Sequence, residues 1–132
     1  GDLVDDEEYR LLGELHDDLP AGAGVATVPY NGSSMAYALE GVRTTTTHLY
    51  YTTTPDVRTI NEHLDEAASD PQVCRALEDL DVDYALDFGP REVDQTNFRV
   101  GYPGFDSLAT SPGFEVVAWE GHAVLYRITA CA

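Results

Sequence analysis

The sequence predicts one α/β domain, a Rossmann-like three-layer sandwich whose mostly parallel sheet of about five strands is extended by a C-terminal β-hairpin. Three observations carry this. In the stretch Asp81 to Pro90, DVDYALDFGP, a helix end runs directly into a short apolar strand (Val82, Tyr84, Ala85, Leu86) that breaks at Gly89-Pro90. A strand so apolar belongs in the middle of a sheet covered on both faces. Upstream of it, helix and strand patterns alternate; downstream, two strand patterns flank Glu120-Gly121-His122.

The elements follow in order. Asp5-Asp6-Glu7-Glu8 places acids where a helix start favours them, and Leu11, Leu12, Leu15 and Leu19 share one face until Pro20. After Ala21-Gly22-Ala23-Gly24, the run Val25 to Val28 reads as a buried strand ending at Pro29. Asn31 or Ser33 then caps a short helix, Met35 to Glu40, which stops at Gly41. Val42 to Tyr51, with four consecutive threonines, predicts a short strand entering an exposed loop. Thr54-Pro55 and Asp70-Pro71 each join a capping side chain to proline at the first helical position. They start two helices with apolar faces at Val57, Ile60, Leu64 and Ala67, and at Val73, Cys74, Leu77 and Leu80. Residues 91–112 show no sustained period and predict a long loop, with a helical turn near Phe105 to Thr110. Phe114 to Trp119 and Ala123 to Thr129 form the hairpin.

At 132 residues the chain suits one domain spanning 1–132. Its net charge of -17 comes from 24 acids against seven arginines, with no lysine. Such a surface repels phosphate backbones and anionic headgroups, so nucleic-acid binding and direct membrane docking are disfavoured. Without lysine there is no P-loop lysine and no Schiff-base chemistry. Arginine-for-lysine codon bias and life at high salt both account for the composition. No window approaches the ~18 apolar residues of a membrane span. The chain opens on Gly-Asp-Leu and its one methionine is Met35, which predicts a piece of a longer protein. Cys74, on a predicted helix, and Cys131, beside the end, fit a disulfide in an oxidising compartment; two buried thiols fit nearly as well.

Motifs for chemistry are sparse. Gly22 and Gly24 precede their strand, whereas a dinucleotide loop follows it, so no cofactor is expected. Asp79, Asp81 and Asp83 alternate like a calcium loop, but the sixth and twelfth positions are Tyr84 and Pro90, which leaves solvated carboxylates. His16, His48, His63 and His122 lack metal spacing, so no metal is expected, and no nucleophile elbow occurs. The open-sheet rule instead points to the carboxyl ends of the strands. The crevice there would be lined by Tyr30, Asn31, Ser33, Asp87, Phe88 and Arg91, with Asn97, Arg99 and Tyr102 as cover. Helix capping by Asn31 and Ser33, and exposed loops without a ligand, are the simpler readings of the same residues.

Pro29-Tyr30-Asn31-Gly32-Ser33-Ser34, Asn61-Glu62-His63-Leu64-Asp65, Val73-Cys74-Arg75-Ala76-Leu77 and Val82-Asp83-Tyr84-Ala85-Leu86-Asp87 have a counterpart in a known group of proteins. So has the ending Gly113 to Val117 with Leu125 to Ile128. From about Asp5 to Cys131 the chain resembles the C-terminal extracytoplasmic domain of actinobacterial polytopic membrane proteins similar to GT-C class glycosyltransferases. The resemblance implies a non-catalytic accessory domain on the outer face of the cell membrane, tethered by an upstream transmembrane region. Its implied partners are that region and, further, a glycan or polyprenyl-linked sugar. The GT-C catalytic acid belongs to the transmembrane part, so no catalytic residue carries over. The resemblance also agrees with a Cys74 to Cys131 bridge. The alternative from the residues is an independent module binding a small polar ligand or sugar at the crevice.

Overall fold

The computed structural model describes residues 5–28, 33, 36, 41–46, 54–89 and 102–131. Helix α1 (Asp6–Asp18) begins with a reciprocal cap. The Glu8 N–H donates to Asp5 Oδ1 at 2.8 Å and the Asp5 N–H to Glu8 Oε1 at 3.0 Å. Strands β1 (Gly24–Ala26) and β2 (Arg43–Thr44) follow. Helix α2 (Pro55–His63) is capped by Thr54 and continues into a 3-10 turn at Leu64–Glu66; α3 (Pro71–Leu80) is capped by Asp70. Both carry proline in the first turn, where a missing N–H leaves no donor unpaired. Strand β3 (Tyr84–Asp87), 3-10 turns at Pro103–Phe105 and Leu108–Thr110, and the hairpin of β4 (Phe114–Glu120) and β5 (Ala123–Ile128) complete the described chain. The helix expected at Met35 to Glu40 and the first half of the 91–112 loop lie outside the described residues.

The five strands form one sheet in the order β2-β1-β3-β5-β4, so β3 is central, as its apolar sequence requires. The expected mostly parallel sheet is corrected to a mixed one. β1 pairs in parallel with β2 and with β3, while β3–β5 and β5–β4 are antiparallel. The reason is the two-residue turn Gly121-His122, which returns β5 beside β4 and inserts it against β3 (Glu120↔Ala123, Asp87↔Val124). Gly121 takes φ 57° there, and a Cβ on it would overlap the Glu7 carboxylate.

Two apolar clusters divide the sheet residues by strand alternation. Leu11, Leu12 and Leu15 of α1 pack with Val25, Leu86, Ala123 and Leu125. Ile60, Leu64, Val73 and Leu77 pack with Ala26, Ala85, Tyr126 and Ile128. The second half of the expected loop belongs to this second cluster, since Tyr102, Phe105 and Leu108 are all buried in it. Gly104 permits the approach: a Cβ there would stand 2.5 Å from the Leu64 nitrogen and 2.6 Å from the Ile60 oxygen. Cys74 and Cys131 form a disulfide, Cα to Cα 5.4 Å, joining α3 to the segment after β5. Among the described residues no helix is long and apolar enough to cross a membrane.

Candidate functional site

The strand order fixes where a ligand site is expected. β1 has β2 on one side and β3 on the other, so the chain's crossovers diverge at the carboxyl ends of β1 and β3, the switch point of an open sheet. Ser33 follows β1, and Asp87 is the last residue of β3. Ser33 is fully buried. Its Oγ accepts from the Val28 N–H at 3.1 Å and donates to the Val28 carbonyl at 3.4 Å, which holds Ser33 against the end of the β1 segment. Beside it, Thr27 and Thr46 exchange hydroxyl and carbonyl hydrogen bonds of 2.8–2.9 Å. Asp87 is half-buried and accepts from the Gly89 N–H at 2.9 Å, an Asx turn ending β3. Tyr30, Asn31 and Arg91, the other expected lining residues, lie outside the described residues, as do Asn97 and Arg99. Phe88 and Tyr102 are corrected from lining and cover to core: each is buried in an apolar cluster.

A charged cluster absent from the sequence reading occupies the same edge. Because β5 runs antiparallel to β3, the turn before it reaches the end of β3, and α1 begins beside it. His122 Nε2 lies 2.9 Å from Glu8 Oε2 and 3.3 Å from Asp5 Oδ2, and its Nδ1 lies 3.5 Å from Glu7 Oε1. Burial, the largest single influence, lowers the His122 pKa. The Glu8 hydrogen bond and the charges of Asp5, Glu8 and Glu7 together outweigh it, and the net shift is upward. Protonated His122 is thus the counter-ion of three carboxylates. Asp5, Glu7 and His122 also bring ligand atoms within 4.8 Å of one another, a nitrogen-and-carboxylate set of the kind that holds a divalent cation. His122 and Glu8 are 114 positions apart, so no local spacing announces the cluster.

The opposite edge holds a cleft of about 460 Å³ with Glu78, Asp81, Asp83, Tyr84, Arg127 and Cys131 among its walls. In an adjoining hollow Arg43 has a structural task. Its guanidinium donates to the Leu80 carbonyl at 2.7 Å, the Asp81 carbonyl at 2.7 Å and the Gly22 carbonyl at 3.0 Å. It thereby satisfies the carboxyl end of α3, where Asp81 turns left-handed at φ 54°. Asp79, Asp81 and Asp83 are all exposed, in keeping with solvated carboxylates, and at Asp81 it is mainly the backbone carbonyl that Arg43 holds.

A family model, that of a family of unknown function designated DUF6541, matches residues 1–130. The chain belongs to DUF6541. No curated protein and no solved structure matches it. The DUF6541 match covers both sheet edges, the His122 cluster and all but one residue of the Cys74 to Cys131 loop, and it assigns no role to any of them. What the geometry of this DUF6541 domain offers is a switch-point edge with an Asx-turn aspartate and a histidine held among carboxylates, while the expected lining residue Ser33 is corrected to a fully buried one engaged with Val28.

Proposed function

We propose that this domain is a non-catalytic extracytoplasmic accessory domain of a multi-spanning membrane protein of the actinobacterial, GT-C glycosyltransferase-like kind, acting in cell-envelope glycan assembly. Its partners in this reading are the transmembrane part of its own parent chain and a glycan or polyprenyl-linked sugar presented there. The observation that supports it is the Cys74–Cys131 disulfide, which ties the end of the described chain to α3 and is a bond that persists in oxidising compartments. Apolar clusters on both faces of the sheet support the finer fold reading, a Rossmann-like three-layer sandwich.

The test is made on the native source. Cells are fractionated, the domain is detected by antibody, and its apparent mass and partitioning are recorded. A membrane-bound polypeptide several times larger than this chain is the expected result. A band released with the soluble fraction at the mass of the chain would sink the proposal.

A second reading, an independent module for a small polar ligand, is favoured by the switch point between β1 and β3. Calorimetric titration with neutral and acidic monosaccharides should then show saturable binding that is lost in folded Asn31→Ala and Asp87→Ala variants. Binding that survives both substitutions would overturn it.

A further inference from the structure

Of the two edges of the sheet, only β4 is long enough to accept a further strand of ordinary length. It has seven residues, whereas the opposite edge, β2, has two, and among the described residues no strand pairs with its outer side. An edge strand presents a row of backbone N–H and C=O groups to any extended chain laid beside it. The two faces along this edge differ in chemistry. Val116 and Trp119 stand opposite Tyr126 and Val124 of β5, so both lie on the face away from α1, where they are 50% and 66% exposed. The bulge at Val117 is what puts two residues three positions apart on one face. Glu115 and Glu120 stand opposite Arg127 and Ala123, which places them on the face that α1 covers.

Charge decides what fits there. Arg10 of α1 pairs with Glu120 at 2.9 Å, and the charges of Glu7 and Asp6 bear on the same guanidinium. Glu14 crowds Glu120 as well: its carboxyl is pushed up, first by desolvation and then by the charges of Glu120 and Asp18. One arginine thus stands among Asp6, Glu7, Glu14 and Glu120, and the α1 face of the edge keeps an excess of negative charge. A second copy of the chain, at -17, would bring more of the same sign. A cationic chain would relieve it. Successive side chains of an extended chain point to opposite faces, so a strand laid along β4 meets apolar surface with one set and carboxylates with the other.

We propose that β4 is the docking edge for an extended basic segment of a partner protein, which adds to the sheet with apolar side chains over Val116 and Trp119 and lysines or arginines toward Glu14 and Glu120. Backbone pairing fixes the register, the strip at Val116 and Trp119 supplies apolar burial, and the acids select the sign of the partner.

The test titrates the 132-residue chain by calorimetry and by emission of its one tryptophan, Trp119. The probe is acetyl-Lys-Val-Lys-Val-Lys-Val-Lys-amide, matched in length to β4. The expected result at 0.05 M NaCl is saturable one-to-one binding with a blue shift of Trp119 emission, and a Kd that rises about tenfold by 0.5 M NaCl as the charges are screened. Two control peptides should bind about tenfold more weakly or not at all. The block peptide acetyl-Lys-Lys-Val-Val-Val-Lys-Lys-amide keeps composition and charge but loses the alternation, and the alternating peptide N-methylated along its backbone loses its donors. Trp119→Ala and Val116→Thr, both at exposed positions and checked for fold by circular dichroism, should each weaken binding by about threefold or more. The peptide controls decide the matter without any change to the protein. Equal binding of the block peptide would overturn the proposal and leave only attraction to an acidic body. So would undiminished binding of the N-methylated peptide, indifference to both substitutions, unchanged Trp119 emission at saturation, or no saturable binding up to about 1 mM peptide at 0.05 M NaCl.

Discussion

Replacing Cys74 and Cys131 together by serine cuts a covalent link between positions 57 apart. The native fold around the link should persist. The tail is also held by the Thr129 and Ala130 N–H groups, which donate to the Gly113 carbonyl at 2.8 and 3.2 Å. The effect therefore falls on the unfolded chain. Closing a loop of this length removes about 14 cal/mol/K of its entropy, or about 4 kcal/mol at 25 °C. A 132-residue domain unfolds with an entropy of about 280 cal/mol/K at its midpoint, so the same loss lowers Tm by about 15 °C. Urea denaturation and calorimetry of the oxidised parent, the reduced parent and the double-serine variant make the measurement. The two uncrosslinked forms should agree, and their m-values should exceed that of the oxidised chain because their unfolded state expands further. A loss below about 1 kcal/mol, in protein whose cysteines resist alkylation before reduction, would refute the reasoning.

Three further predictions rest on single side chains. His122 has a raised pKa, so its clasp on Asp5, Glu7 and Glu8 contributes stability fully below the unfolded value and loses it as pH rises through the folded one. The stability difference between the parent and His122→Ala, followed from pH 5 to 9, should shrink with rising pH; a constant difference counts against the clasp. Arg43→Lys leaves a point charge that cannot reach the Leu80, Asp81 and Gly22 carbonyls together, and should cost about 1–2 kcal/mol in urea denaturation. Gly104→Ala drives a methyl into the α2 backbone and should cost about 1–3 kcal/mol by the same assay, with an unchanged midpoint showing that the turn simply lifts away.

Local signals in the sequence were faithful reporters of local structure. Thr54-Pro55 and Asp70-Pro71 state a cap and a first turn in two residues, and both helices begin there. The apolar run at Tyr84 to Asp87 marks a strand buried on both faces, and it is central. Direction was not legible, because Ala123 to Ile128 has the same composition whichever way it runs against β3. Nor was the burial of Phe105, which depends on Gly104 meeting the Ile60 and Leu64 backbone some 40 positions away. For the candidate site, the places of Ser33 and Asp87 near the carboxyl ends of β1 and β3 were legible because strand ends are readable, but the burial of Ser33 was not. The bonds of Ser33 to Val28 and of the Gly89 N–H to Asp87 are local, five and two positions apart, whereas the meeting of His122 with the start of α1 spans 114 positions and no local window contains it.

The place of β3 also has a consequence for the order in which the chain assembles. β1 leaves the ribosome well before β3, its central partner in the sheet, and cannot lodge there until Tyr84 and Ala85 stand opposite Val25 and Ala26. The stretch from Pro71 to Cys131, by contrast, contains α3, β3, the whole hairpin and both halves of the disulfide. Contacts close in sequence form ahead of distant ones. The last-made half should therefore fold first and serve as the template on which the first-made strands lie down. Pulse-labelled hydrogen exchange would record this as protection of β3 and β5 amides before those of β1.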